Sequence, residues 1–276
     1  MEYAFMQRAL IMALAVGVVA GVVGSFVILR GLSLMGDAIS HAVLPGVAMS
    51  YAVGINLIFG AMTMGLATAV AITYIQRRSH LKSDTAMGVV FSAAFALGVI
   101  LIAEVDAAVN LHNILFGNLL AVTKADFILT LVIAGLVLGV MELFYRHLLL
   151  TTFDPQVAPT YGSSPPAMHY LLMVVLTAVT VAALQTVGII LVVAMLVTPA
   201  ASAFLVTQRM RPLMTVAVVV AVVSAVCGMY LSYAFNLPSG PAIVLVLATI
   251  FTVLWVAARV KRRLQSRKSI EVVAGR

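Results

Sequence analysis

Long apolar runs separated by joints of only a few residues fill this chain from near its start to near residue 258. A helix that crosses a bilayer needs about 20 mostly apolar residues. Hydrocarbon offers no hydrogen-bond partner, so each run must satisfy its backbone groups internally, and a helix does so within one segment. By that measure the candidate spans are 9–29, 34–54, 56–75, 84–103, 126–146, 168–186, 189–207, 213–235 and 241–258. This is about nine transmembrane helices, and the short joints leave eight to ten compatible with the pattern. Composition excludes a water-soluble alternative. Of 276 residues, 63% are hydrophobic and 9% charged, with a mean hydropathy of +1.17, whereas a soluble domain carries about 25% charged residues. Disorder is excluded on the same grounds. The expected fold class is an all-α integral membrane protein, with residues 1–276 forming a single transmembrane domain.

The formal net charge of +7 does not indicate nucleic acid, because the basic residues occupy the breaks between apolar runs and the segment after residue 258. Arg30, Arg77, Arg78, Lys82, Arg146, Arg209, Arg211 and a basic tail at 259–276 fall on one side of a nine-span topology; Arg8 and Lys124 fall on the other. The positive-inside rule then puts the C-terminus in the cytoplasm and the N-terminus outside. The first apolar run is too long for a signal-peptide core and reads as a span. Glu104 and Asp106 lie on the outer side, next to a run, Leu111–Val122, that is too short to cross and suits a half-helix or an interfacial helix. Cys227, the single cysteine, excludes an intrachain disulfide and reads as a small packing residue.

Most acidic residues fall at span ends or in loops, where solvation is easy. Asp37 does not. It lies in G-L-S-L-M-G-D-A-I-S-H-A-V-L-P-G, residues 31–46. A carboxylate at mid-membrane costs about 2.5–3.5 kcal/mol, so such a residue marks a transport pathway by default. His41 follows four positions later, on the same helical face one turn on. Carboxylate and imidazole together suit a divalent transition ion, and Pro45 withholds the amide hydrogen that the His41 carbonyl would otherwise receive. A bland alternative is an ion pair that joins helices. Two ligands are too few for a transition ion, and a two-fold pair of chains would supply four. His112, with Glu104 and Asp106 nearby in sequence, is a weaker candidate for an entrance. His80, His147 and His169 sit in basic breaks and read as solvated.

The longest non-apolar stretch, 146–167, falls on the cytoplasmic side. Within it Asp154 can cap a very short helix, Pro155 suits its first position, and Gly162 can end it in a left-handed conformation. Pro159 limits its regularity. A docking knob for a soluble partner and a solvated connector both fit. No H-E-x-x-H, G-x-S-x-G or G-x-x-x-x-G-K-[ST] occurs, so the chain has no P-loop of its own and is not expected to be an enzyme.

The stretch Gly31–Gly46 closely resembles the signature of the permease subunits of bacterial manganese/iron/zinc ABC importers. So do Leu115–Val122 and Gln185–Ala201, and the likeness runs in order from about residue 9 to about 258. The resemblance implies a fold like that of the vitamin B12-type importers and a location in the bacterial cytoplasmic membrane. It implies assembly from two copies of the permease and two cytoplasmic ATP-binding subunits, with an extracytoplasmic metal-binding protein delivering the ion. It further implies metal contacts at Asp37 and His41 at the dimer interface, and coupling to the ATPase through Asp154, Ala158 and Gly162. No cofactor is held permanently; the metal is cargo, and ATP acts through the partner subunit. The G-D-A-I-S-H-A-V-L-P-G form is more like the manganese and iron members than the zinc ones, so manganese is expected first. Two other classes stand beside this reading. One is a stand-alone secondary metal/proton transporter with Asp37–His41 as a proton relay. The other is a membrane-embedded enzyme using the pair for acid/base work, for which no nucleophile is found.

Overall fold

The computed structural model describes residues 4–104 and 124–274. The helices are α1 (Ala4–Leu29), α2 (Met35–Ala42), α3 (Leu44–Val53), α4 (Leu57–Arg78), α5 (Ser83–Glu104), α6 (Lys124–Leu143), α7 (Tyr145–Phe153), α8 (Pro165–Val187), α9 (Ile189–Val206), α10 (Met210–Phe235) and α11 (Ser239–Ala274). A single 3-10 turn, Ala158–Tyr161, lies between α7 and α8. The segment Leu111–Val122, with His112 and Asp106, lies outside the described residues.

Among the described residues, eight helices are long and apolar enough to cross a membrane. The expected span at 34–54 is not one of them, because it is broken into α2 and α3. The break falls at Val43, two residues before Pro45. Hydrogen bonds from Val43 N–H to the Ile39 carbonyl (3.1 Å) and from Val47 N–H to the Val43 carbonyl (3.1 Å) continue the ladder on both sides. Val43 itself keeps right-handed helical angles. Pro45 has no N–H to give to the His41 carbonyl, so the ladder is interrupted there and α2 and α3 form one interrupted rod.

The bundle is built around α1, which packs against α10, α9, α6 and α8. Met12, Phe26, Leu176, Leu191 and Met195 are wholly buried there. In lipid, helices gain little from apolar burial alone, and close backbone approach does more. Gly24 of α1 accordingly sits where an added Cβ would overlap the Leu196 carbonyl of α9. At Gly188 the chain turns from α8 directly into α9 with φ 83° and ψ 160°, a combination essentially confined to glycine. Thus two spans are joined by a single residue.

Two readings of the sequence, those of 146–167 and of Cys227, are corrected. The stretch 146–167 is not all loop: α7 occupies 145–153, because Leu148 and Thr151 are buried on one side of it. Within the basic tail, α11 continues from its span as far as Ala274. Cys227 is exposed on the outer surface of α10 rather than packed inside.

Candidate metal pathway and coupling knob

Two features bring Asp37 and His41 together. Chain leaves α1 through a Schellman closure, with Gly31 at φ 67° and Leu32 N–H bonded to the Val27 carbonyl at 2.9 Å. That turn starts α2 four residues later, with Asp37 in its first turn and His41 in its last. A helix dipole favours an anion at the first position and a cation at the second. The Asp37 Oδ1 and His41 Nε2 atoms are 3.5 Å apart, with side-chain exposures of 44% and 24%. An ion about 2.1 Å from each of two donors, with bond angles of about 90–109°, needs them about 3.0–3.4 Å apart. The observed separation of 3.5 Å lies just above that range and is long for a direct hydrogen bond.

The surroundings hold the imidazole without satisfying it. Its ring lies edge-on to Phe91 (5.5 Å) and Phe95 (5.7 Å) of α5. Nδ1 is buried and, among the described residues, has no hydrogen-bond partner, a state that costs free energy. The α2–α3 junction is held by close backbone contacts. Gly46 and Gly60 of α4 approach so closely that a Cβ on either would overlap the other's carbonyl. No cluster of three or more His, Cys, Asp or Glu side chains occurs among the described residues. Among the described residues the chain thus places two candidate ligand side chains together here, Asp37 and His41.

At another point of the chain the short segment after α7 takes the form its residues specify. Asp154 Oδ1 accepts the Val157 N–H at 3.1 Å, Gly162 adopts φ 72°, and Ser163 N–H closes on the Ala158 carbonyl at 3.0 Å. Pro159 leaves it a 3-10 turn. Ala158 is fully buried and anchors the turn, whereas Tyr161 is 71% exposed, and Asp154 and Gly162 are also exposed. Arg30, just past the end of α1, fixes α7 from the side. Its Nε donates to Thr152 Oγ1 (2.9 Å), and its Nη2 donates to Thr151 Oγ1 (2.6 Å) and the Leu148 carbonyl (3.3 Å). Only seven residues separate Arg30 from Asp37, so the turn and the Asp–His helix are mechanically close.

The model of the ABC 3 transport family matches residues 2–258. The chain belongs to that family. It is 52% identical over 268 residues to the manganese transport system membrane protein MntC of Listeria monocytogenes, covering 97% of this chain and 96% of that one. It is 48% identical over 266 residues to the manganese import system permease protein ScaB of Streptococcus gordonii, covering 96% of each. Among solved structures, PsaBC from Streptococcus pneumoniae in complex with Fab superposes with a TM-score of 0.83 at 46% identity, over 92% of each chain.

Within this ABC 3 family chain the sequence-derived residues land as follows. Asp37 and His41 come together on α2; Asp154, Ala158 and Gly162 come together in one turn. Glu104 is exposed at the end of α5, while His112 and Asp106 fall outside the described residues. Sequence reasoning missed Phe91 and Phe95 of α5, which flank the His41 ring, and Gly98 of the same helix, which meets the α2–α3 junction at Leu44 and Pro45. It also missed Arg30 as more than an orientation signal; its position next to the glycine turn was the available clue. His169 is half-buried, not solvated, with Nε2 3.4 Å from Thr73 Oγ1.

Proposed function

We propose that this chain is the membrane-spanning permease of an importer of divalent transition metal ions, manganese first, driven by ATP hydrolysis on separate cytoplasmic subunits. The observation that carries the reading is the Asp37–His41 pair on an interrupted transmembrane rod, 3.5 Å apart and with an unsatisfied ring nitrogen. The names of the relatives support manganese as the cargo.

The pair holds the ion transiently. Two ligands from each of two chains facing one another across a two-fold axis supply two oxygens and two nitrogens, a hard-to-borderline set suited to manganese or iron and tolerant of zinc. A weak, incomplete site in each half is an advantage for a carrier, since the ion must leave as well as enter. The turn around Ala158, with exposed Tyr161 and a buried anchor, receives the ATPase subunit. Its movement passes through α7 and the Arg30 clamp to the start of α2. The chain itself does no chemistry.

Uptake of manganese, iron and zinc in competition, by proteoliposomes containing the chain and its ATPase subunit, tests the reading. ATP-dependent manganese accumulation supports it. Accumulation by the chain alone, driven by a proton gradient, would replace it with the secondary-transporter reading.

A further inference from the structure

Away from the Asp–His pair, the ends of α1, α4 and α8 and one side of α7 enclose a cleft of about 440 Å³. Its polar lining is Arg30, Thr73, Gln76, Arg77, Thr151 and His169. No carboxylate is among the lining residues, and among the described residues neither guanidinium has an acidic partner within salt-bridge distance. Arg30 spends Nε and Nη2 on α7, and among the described residues Nη1 has no protein acceptor. Burial holds its pKa below the usual arginine value, as expected for a charge removed from water without a counter-ion. Arg77 makes only a ring contact, 5.4 Å over Tyr170. Arg30 is partly desolvated and Arg77 is exposed at the mouth; the two cations facing one cleft repel each other, and an anion between them turns that repulsion into attraction.

The level of the cleft says where the anion comes from. Arg30 directly follows α1, Arg77 is the penultimate residue of α4, and His169 lies in the second turn of α8. These are the ends of membrane spans, at the end that the distribution of Lys and Arg assigns to the cytoplasm. Tyr170 beneath Arg77 and Tyr74 beneath Arg78 (5.5 Å) add the aromatic residues typical of headgroup depth. The volume falls within the range of ligand pockets, and basic pockets between helix ends on this side suit anionic headgroups.

We propose that this cleft binds a phosphate group carried by the headgroup of an anionic phospholipid, with Arg77 and the free Nη1 of Arg30 as its cationic contacts. The bound headgroup bridges α1, α4 and α8 beside the clamp on α7.

The test uses the full-length chain in detergent, titrated separately with short-chain phosphatidylglycerol, phosphatidylcholine and inorganic phosphate. Native mass spectrometry counts retained ligand, and thermal unfolding reports stabilisation. Phosphatidylglycerol is expected to be retained at one per chain and to raise Tm, with phosphatidylcholine far weaker. R77Q is expected to weaken retention about fivefold, and R77K to recover part of it, having charge but no planar fork. R259Q removes an equal charge from a residue that does not line the cleft and leaves retention unchanged. Arg77 is exposed, so its replacement does not threaten folding. Equal Arg77-dependent stabilisation by inorganic phosphate would keep the phosphate site and move its source to the free ion. Retention unaffected by R77Q, or equally reduced by R259Q, would overturn the proposal. Expulsion of the lipid when the ATPase subunit docks would assign the cleft to a protein carboxylate and overturn it as well.

Discussion

Gly98 of α5 touches the interrupted rod at its break. A Cβ added there would stand 2.7 Å from Leu44 Cβ, 2.9 Å from Pro45 Cδ and 3.0 Å from Pro45 N. Unstrained carbon contacts lie at about 3.5–4.0 Å, so Gly98→Ala must part α5 from the junction by about 0.8–1.3 Å. Overpacking of that size costs about 1–3 kcal/mol, offset in part by the roughly 1 kcal/mol by which Ala is preferred to Gly in a helix. Gly88, on the same helix, has nothing within 4 Å of its built Cβ, and Gly88→Ala gains the helical preference alone. The two variants should therefore differ by about 1–3 kcal/mol in stability, with Gly98→Ala the weaker. Function should separate them further. Phe91 and Phe95, which flank the His41 ring, ride on α5, so parting the helices shifts the imidazole relative to Asp37. Thermal inactivation of the purified chain and ATP-driven manganese uptake in proteoliposomes read the two effects. Gly98→Ala as stable as Gly88→Ala, with full uptake, would refute the reasoning.

Asp37→Asn and His41→Gln should each abolish metal uptake while the chain remains folded, since both side chains are partly exposed; normal transport by either variant would remove the pair from the pathway. Gly162→Ala forces a side chain into the left-handed region at φ 72°, at about 1–2 kcal/mol, and Asp154→Ala removes a cap worth about 0.5–2 kcal/mol. In both, ATP hydrolysis by the complex should continue while metal uptake falls, and an unchanged ratio of ions to ATP would count against the knob. Arg30→Lys keeps the charge but cannot reach Thr151, Thr152 and the Leu148 carbonyl together; it should lower Tm and the coupling ratio, and hydrogen exchange in α7 should rise.

Nearly everything local could be read from the residues in order. A bilayer leaves the backbone only internal partners, so apolar length alone assigned the spans within a few residues at most ends. The four-residue spacing put Asp37 and His41 on one face, and Asp154 and Gly162 specified the ends of a short turn; Pro45 indicated only a freed His41 carbonyl, and the break it makes in 34–54 was not foreseen. In each case the causes lie within about one turn of their effects, as capping, proline and left-handed glycine act at that range.

What the sequence could not decide were meetings between distant segments. Ala158 looked like part of an exposed docking element, yet packing buries it and leaves Tyr161 outside. Cys227, inside an apolar run, faces outward because in lipid an apolar residue suits either side of a helix, and hydropathy cannot tell the two apart. Arg30 carried a legible charge, but its acceptors lie 118 to 122 residues away. The contacts of Phe91 and Phe95 with the His41 ring, the approach of Gly98 to Pro45, and the cleft shared by Arg30 and Arg77 exist only because α5 and α4 come to rest where they do. Sequence thus determined which segments are helices and where chemistry-bearing side chains sit along them; tertiary structure decided which faces meet, because helix association in a membrane depends on close shape fit between surfaces of nearly uniform polarity.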